Sequence, residues 1–218
     1  GVAVIQCHSI GMIQHLDEIT EALRLSLGED LLAVYHKSAE TLPKRHAITD
    51  GYLYGEVPTP HYAKEDGITY AIDWINGQKT GFFIDQRDNR TMVGKLSHGE
   101  KVLNAFCYSG GFSLQALKNN ASVVYSLDSS QKAIALVEQN VQLNAMEDRH
   151  ISVAADAMEF MKELPEEFDI IILDPPAFAK HLDKKHKAVQ GYKRLNAHAL
   201  RQIKSGGILI TFSCSQVI

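Results

Sequence analysis

No stretch of this sequence is apolar for long enough to span a bilayer. No secretory leader precedes the first strand-like run, so the chain reads as cytoplasmic. Cysteine is scarce: Cys7, Cys107 and Cys214 form no disulfide framework and no Cys-x-x-Cys pair, and an odd count suits a reducing compartment. The ten histidines show no metal-ligand spacing, so no metal site is expected. Internal repeats and low-complexity tracts are missing too. A net charge of −4 over 218 residues gives no global sign of nucleic-acid binding. That charge is unevenly spread, however. Lys180 to Lys204 holds six Lys and two Arg against Asp183 alone, a local +7 that leaves −11 on the rest.

What is present is a change of pattern along the chain. Val2–Cys7 reads as a strand, and Ile13, Leu16, Ile19, Leu23 and Leu27 form a helical stripe closed by Gly28. Leu31–His36 reads as a second strand and the polar 37–46 stretch as a loop. Tyr52–Tyr54 and Ile68–Ile75 look like strands of a small α+β unit or hairpin. A boundary falls near residue 90, giving a small α+β domain over 1–60, a hairpin and connector over 61–90, and a larger domain over 91–218. In the last, strands at 102–106, 122–127, 151–154, 168–173 and 207–212 alternate with helices at 111–119, 130–143, 157–163 and 190–204. That alternation predicts an α/β fold with a parallel, doubly wound sheet. The apolar 207–212 strand lies six residues from the end of the chain. The expectation is a fragment whose exposed edge pairs in a homodimer or is covered by a terminus.

Three of these strands end in aspartate: Asp128, Asp156 and Asp174. Open α/β sheets bind ligands beyond the carboxyl ends of their strands. The first strand runs into Phe106-Cys107-Tyr108-Ser109-Gly110-Gly111, whose glycines permit a tight turn at a helix start. The loop matches neither the Gly-x-Gly-x-x-Gly fingerprint nor a P-loop. Asp128, seventeen residues past Gly111, suits ribose hydroxyls, and Asp156 an adenine amine. Each aspartate alone reads equally as a helix N-cap. Taken in order, a ribose, an adenine amine and a reacting group fit S-adenosylmethionine better than a nicotinamide. In Asp174-Pro175-Pro176-Ala177-Phe178 the prolines stiffen the loop that carries the third carboxylate and an aromatic ring.

Four segments together resemble the RlmI-type S-adenosylmethionine-dependent large-subunit ribosomal RNA cytosine-C5 methyltransferases. They are Gln78–Arg87, Phe106–Gly111, Asp174–Phe178 and Thr211–Ser215, and the likeness covers about residues 60–218. Full-length relatives add an amino-terminal PUA domain and two further strands, in line with a carboxyl-terminally truncated, Rossmann-like methyltransferase sheet. The resemblance implies a cofactor pocket lined by Thr80, Phe83, Asp85 and Arg87. Arg87 serves equally as a partner of Asp85 or Asp88. Cys107, Tyr108, Ser109 and Gly110 would wrap the methionine moiety, with Asp128 on the ribose, Asp156 on the adenine and Asp174 at the reacting end.

Cytosine C5 is a weak nucleophile until a thiolate adds at C6. Cys214, just beyond the last strand, is implied by the resemblance as that nucleophile, although strand-end cysteines are often only structural. Asp174 would bind the cytosine N3/N4 edge, and the acceptor of the C5 proton is not identified. Pro175, Pro176, Phe178 and Tyr192 would contact the base, and Lys180, Lys193 and Arg194 of the basic segment the RNA. Alternatives are a base-nitrogen methyltransferase, a uracil-C5 methyltransferase, and a cofactor- or RNA-binding piece without turnover.

Overall fold

A computed structural model describes residues 1–178 and 185–215. The chain divides into two units: Gly1–Ala63 with Ala71–Ile84, and Lys64–Tyr70 with Asp85 onward.

In the first unit β1 (Val2–Ile5) pairs in parallel with the buried β2 (Ala33–His36). The connection carries α1 (Ile10–Ile13) and α2 (Leu16–Leu27). The predicted stripe is thus split: Ser9 caps α1, and Ile13 falls outside the longer helix. Gly28 closes α2 as expected, its N–H returning to the Arg24 carbonyl. β3 (Gly51–Tyr54) then pairs antiparallel with β2. A two-stranded ribbon, β4 (His61–Glu65) with β5 (Ile68–Ile72), follows, and its Lys64–Tyr70 portion is counted with the second unit. β4 is polar and exposed along its middle, and its sequence lacks an apolar alternation.

The hairpin ends at Ile72, so residues 84–90 are not part of it. Ile84–Gln86 forms one 3-10 turn and Arg87–Leu96 a helix, α3. Hydrophobic periodicity misses α3 because its buried positions are Arg90, Val93 and Gly94.

The second unit holds a five-stranded, all-parallel sheet, the α/β architecture that the alternation predicts. The chain runs β6 (Lys101–Ala105), α4 (Gly111–Lys118), β7 (Val123–Asp128), α5 (Gln131–Leu143), β8 (His150–Ala154), α6 (Ala157–Phe160), β9 (Ile170–Leu173), α7 (Lys185–Gln202) and β10 (Ile208–Thr211). Spatially the order is β10-β9-β6-β7-β8. The chain moves outward from β6 to β8, then returns to lay β9 on the other side of β6.

Successive strand residues bury opposite faces. Val102, Val124, Ile170 and Ile172 join Val93, Phe112, Leu117, Val137 and Val141 under α3, α4 and α5. Leu103, Leu127, Ile171 and Leu173 join Met161, Phe168, Leu195 and Ala199 under α6 and α7. Burial on both faces explains why these strands read as continuous apolar runs. At the edge, Ile208 of β10 remains 41% exposed.

One carboxylate ties the amino ends of three strands. Asp169 accepts the Lys101 N–H (2.9 Å) with one oxygen and the Lys204 ammonium (2.5 Å) with the other. The lysine, followed by the backbone bond, holds the Asp169 carboxyl below its ordinary range. A carboxyl lowered on folding stabilises fully above its ordinary value of about 4 and loses that contribution as pH falls below it. Asp169→Asn should therefore lower the melting temperature near neutral pH. The difference from the parent should shrink as pH falls below about 4 and through the lowered titration of Asp169, which melts across that range would read.

Candidate cofactor and substrate site

The topological switch point lies between β6 and β9, and the loops leaving these strands flank it. After β6 the backbone enters the left-handed region at Phe106 (φ 61°), Tyr108 (φ 47°) and Gly110 (φ 79°). The first two are costly conformations for non-glycine residues, held here by the surrounding bonds. The Cys107 N–H donates to the Leu127 carbonyl (3.1 Å), and the Gly110 N–H returns to the Cys107 carbonyl (2.8 Å). The Tyr108 N–H donates to Asp128 Oδ2 at 3.2 Å. Gly110 caps α4. A Cβ at Gly110 would fall 2.2 Å from Val137 Cγ2.

Asp128, at the end of β7, is partly buried and also accepts the Ser130 N–H (2.9 Å). It does not cap α5; Ser130 does. Asp156 lies exposed beyond β8 and does cap α6, accepting the Glu159 N–H at 3.0 Å. The Cys107 side chain is only 6% exposed and packs in the core beside Phe112 and Val137. Burial, and then the Asp128 charge, push its thiol far up from the ordinary value. Ser109 is buried, and its carbonyl accepts Asn140 Nδ2 at 2.9 Å.

Asp174 follows β9, and its N–H reaches back to the Ala105 carbonyl (3.5 Å). Pro175 is buried, Pro176 exposed and Phe178 half-buried. β10 delivers Cys214 to this loop: the Phe212 N–H donates to the Leu173 carbonyl (2.9 Å), and Cys214 Sγ lies 3.7 Å from the Pro175 carbonyl. Cys214 is exposed, whereas Cys7 and Cys107 are buried. Tyr192 of α7 is 8% exposed. Its ring lies 4.5 Å from that of Phe178, and its hydroxyl meets Ser215 Oγ at 3.1 Å. Tyr192 therefore braces the loop and the Cys214 segment against each other. Lys193 and Arg194 beside it are exposed. Lys180 lies outside the described residues.

The Gln78–Arg87 motif is split between the units. In the first, Thr80 Oγ1 donates to the Phe82 carbonyl (3.3 Å) and the Lys79 ammonium lies 4.9 Å from the centre of the Phe83 ring. In the second, Asp85 is exposed, and Arg87 pairs with Asp88 at 3.7 Å with both side chains largely in solvent.

Two buried supports escaped sequence reading. Arg90, 3% exposed, grips Glu65 through Nε–Oε1 (2.8 Å) and Nη2–Oε2 (2.7 Å). Its Cδ would lie 2.8 Å from a Cβ at Gly111, so the arginine stem occupies the space beside the start of α4. Arg90 lies three residues past Arg87, and a reading extended that far would have met it. Asn140 leaves no such trace, as an isolated amide in a helix.

A parallel sheet with a glycine-turned loop and a carboxylate at the switch point defines a nucleotide-cofactor-binding α/β domain. The model for the S-adenosylmethionine-dependent methyltransferases matches residues 39–217. The chain belongs to that family, whose cofactor is S-adenosylmethionine. It is similar to Ribosomal RNA large subunit methyltransferase I of Aeromonas hydrophila, with 39% identity over 97% of this chain and 55% of the relative. The Shewanella frigidimarina protein of the same name is 38% identical over 99% and 55%. The chain thus spans about half the length of the curated relatives it matches. Among solved structures, SMU.776, a candidate methyltransferase complexed with SAH, aligns with a TM-score of 0.79 at 26% identity, over 96% of this chain and 55% of that one.

The donor set fits this cofactor: a tethered carboxylate after β7 and a polar, left-handed loop after β6. Gly110→Ala meets both a left-handed φ and the Val137 methyl. A loss of about 2–4 kcal/mol is expected in denaturant unfolding, partly recovered in the double variant with Val137→Ala. Limited alkylation of the folded chain should label Cys214 first, with peptide mass mapping leaving Cys7 and Cys107 unmodified.

Proposed function

We propose that the protein carrying this chain methylates cytosine C5 in large-subunit ribosomal RNA, with Cys214 as the nucleophile. The observation that carries the reading is the approach of the exposed Cys214 thiol to the Pro175 carbonyl, within the loop that begins at Asp174. The names of the curated relatives support ribosomal RNA as substrate.

In this reading the sulfur of the Cys214 thiolate bonds to C6 of an extruded cytosine, and the C5=C6 electron pair makes C5 nucleophilic. Asp174, as the protonated carboxyl, would accept from the N4 amine and donate to N3, which offsets the negative charge that develops on the ring as C6 is attacked. S-adenosylmethionine, when bound, supplies the electrophilic methyl group that joins C5. Loss of the C5 proton then expels the Cys214 sulfur and restores the ring. Asp128 and Asp156 would hold the ribose and adenine, and residues 107–110 the methionine portion. Thr80, Phe83, Asp85 and Arg87 are proposed as further cofactor ligands on the strength of the sequence motif alone. Pro175, Pro176 and Phe178 would wall the base site, supported from behind by Tyr192. Lys180, Lys193 and Arg194 would meet RNA phosphates.

In the complete natural protein, Cys214→Ala should reduce 5-methylcytidine in ribosomal RNA by at least about a thousandfold, read by nucleoside mass spectrometry. It should leave cofactor binding, read by calorimetry, within about twofold. Undiminished RNA methylation by the variant would overturn the C5 mechanism in favour of transfer to a base nitrogen, which needs no thiol.

A further inference from the structure

Helix α7 does two jobs with its two faces. The inner face, Ala188, Tyr192, Leu195 and Ala199, is buried. Across its 18 residues the helix carries Lys185, Lys187, Lys193, Arg194 and Arg201 and no acidic residue. All five are exposed, and none forms an ion pair among the described residues. In a chain of net charge −4 this is a marked segregation.

Lys187, Arg194 and Arg201 are seven residues apart, which is nearly two turns. They therefore fall on one stripe along the exposed side of the helix, stepping about 10.5 Å at a time over about 21 Å.

We propose that the outer face of α7, along Lys187, Arg194 and Arg201, is a track for the phosphate backbone of RNA leading to the Cys214 loop. This deepens the RNA reading above and rests on it. Three cations in a line suit an extended polyanion rather than a single small anion. The inner face binds the helix to the site: Gly191 lies against the Phe178 ring, where a Cβ would come within 2.9 Å, and Tyr192 reaches Ser215. A strand held along the stripe is thereby registered to Asp174 and Cys214. A bilayer is the poorer match, because the apolar face of α7 is already spent on the core and only Val189 and Leu200 show apolar surface outside.

The test uses the complete natural protein, protein-free large-subunit ribosomal RNA, and affinities measured from low to moderate salt. The triple variant Lys187→Ala, Arg194→Ala, Arg201→Ala keeps good helix formers throughout. It should weaken binding at least about tenfold and flatten the plot of log affinity against log salt by about 2, three contacts at roughly 0.7 each. Unchanged cofactor affinity verifies its fold. The variant Lys187→Arg, Arg194→Lys, Arg201→Lys should keep the parent slope. The exposed control Lys64→Ala, Lys95→Ala, Lys132→Ala should keep it too.

An unchanged slope in the triple variant, an equal change in the control, or no RNA binding by the parent overturns the track. So does a loss of binding to phosphatidylserine vesicles with RNA binding intact, which would make α7 a membrane surface. Parent methylation, scored separately by nucleoside mass spectrometry, keeps the two proposals apart. Methylation with an unchanged slope overturns the track alone. A flattened slope without methylation overturns the enzymatic reading and supports the track.

Discussion

The register of β9 against β6 is the constraint on which the candidate site depends. Val102 faces Ile170 and Ala105 faces Leu173, so the two strands end level. The left-handed 106–110 loop and the Asp174 loop therefore leave the sheet side by side. A slip of one residue would carry Ile170–Leu173 to the wrong faces and separate the loops. Both faces of β9 are buried in close-packed cores, so such a slip would force both cores to repack.

β10 extends the same logic. Its register, Ile208 with Ile170 through Thr211 with Leu173, sets how far the chain travels before it turns over the Asp174 loop. Three residues beyond Thr211 it presents Cys214. The Phe178–Tyr192 ring contact and the Tyr192–Ser215 hydrogen bond then join loop, helix and cysteine segment from behind. Asp174 and Cys214 depend on each other's elements, although forty residues separate them.

Much of this was legible because chemistry and period coincide. Apolar runs marked β6, β7 and β9, and the aspartates at the carboxyl ends of β7, β8 and β9 stand where ligands gather. Strand order was not legible: alternation predicts a parallel sheet, but the return to β6 that creates the switch point leaves no local mark. α3 was hidden because it buries Arg90, whose charge is answered by Glu65, twenty-five residues earlier. Tyr192 reads from sequence as a stacking platform for a base. Its place on the inner face of α7 follows only once Ala188, Leu195 and Ala199 are seen to share that face. α7 also begins five residues earlier than its periodicity suggests, at Lys185, and at Gly191 the Phe178 ring takes the space of a side chain.

The central claim is covalent: Cys214 bonds to C6 of cytosine in a site walled by Asp174. RNA in which the target cytidine is replaced by 5-fluorocytidine tests it most directly, because fluorine cannot leave as a proton and the adduct is held. Incubated with the complete protein and S-adenosylmethionine, such RNA should remain attached through denaturing electrophoresis. Mass spectrometry should place the nucleotide on the peptide containing Cys214. An adduct on Cys107, or active enzyme that forms no adduct, would contradict the account.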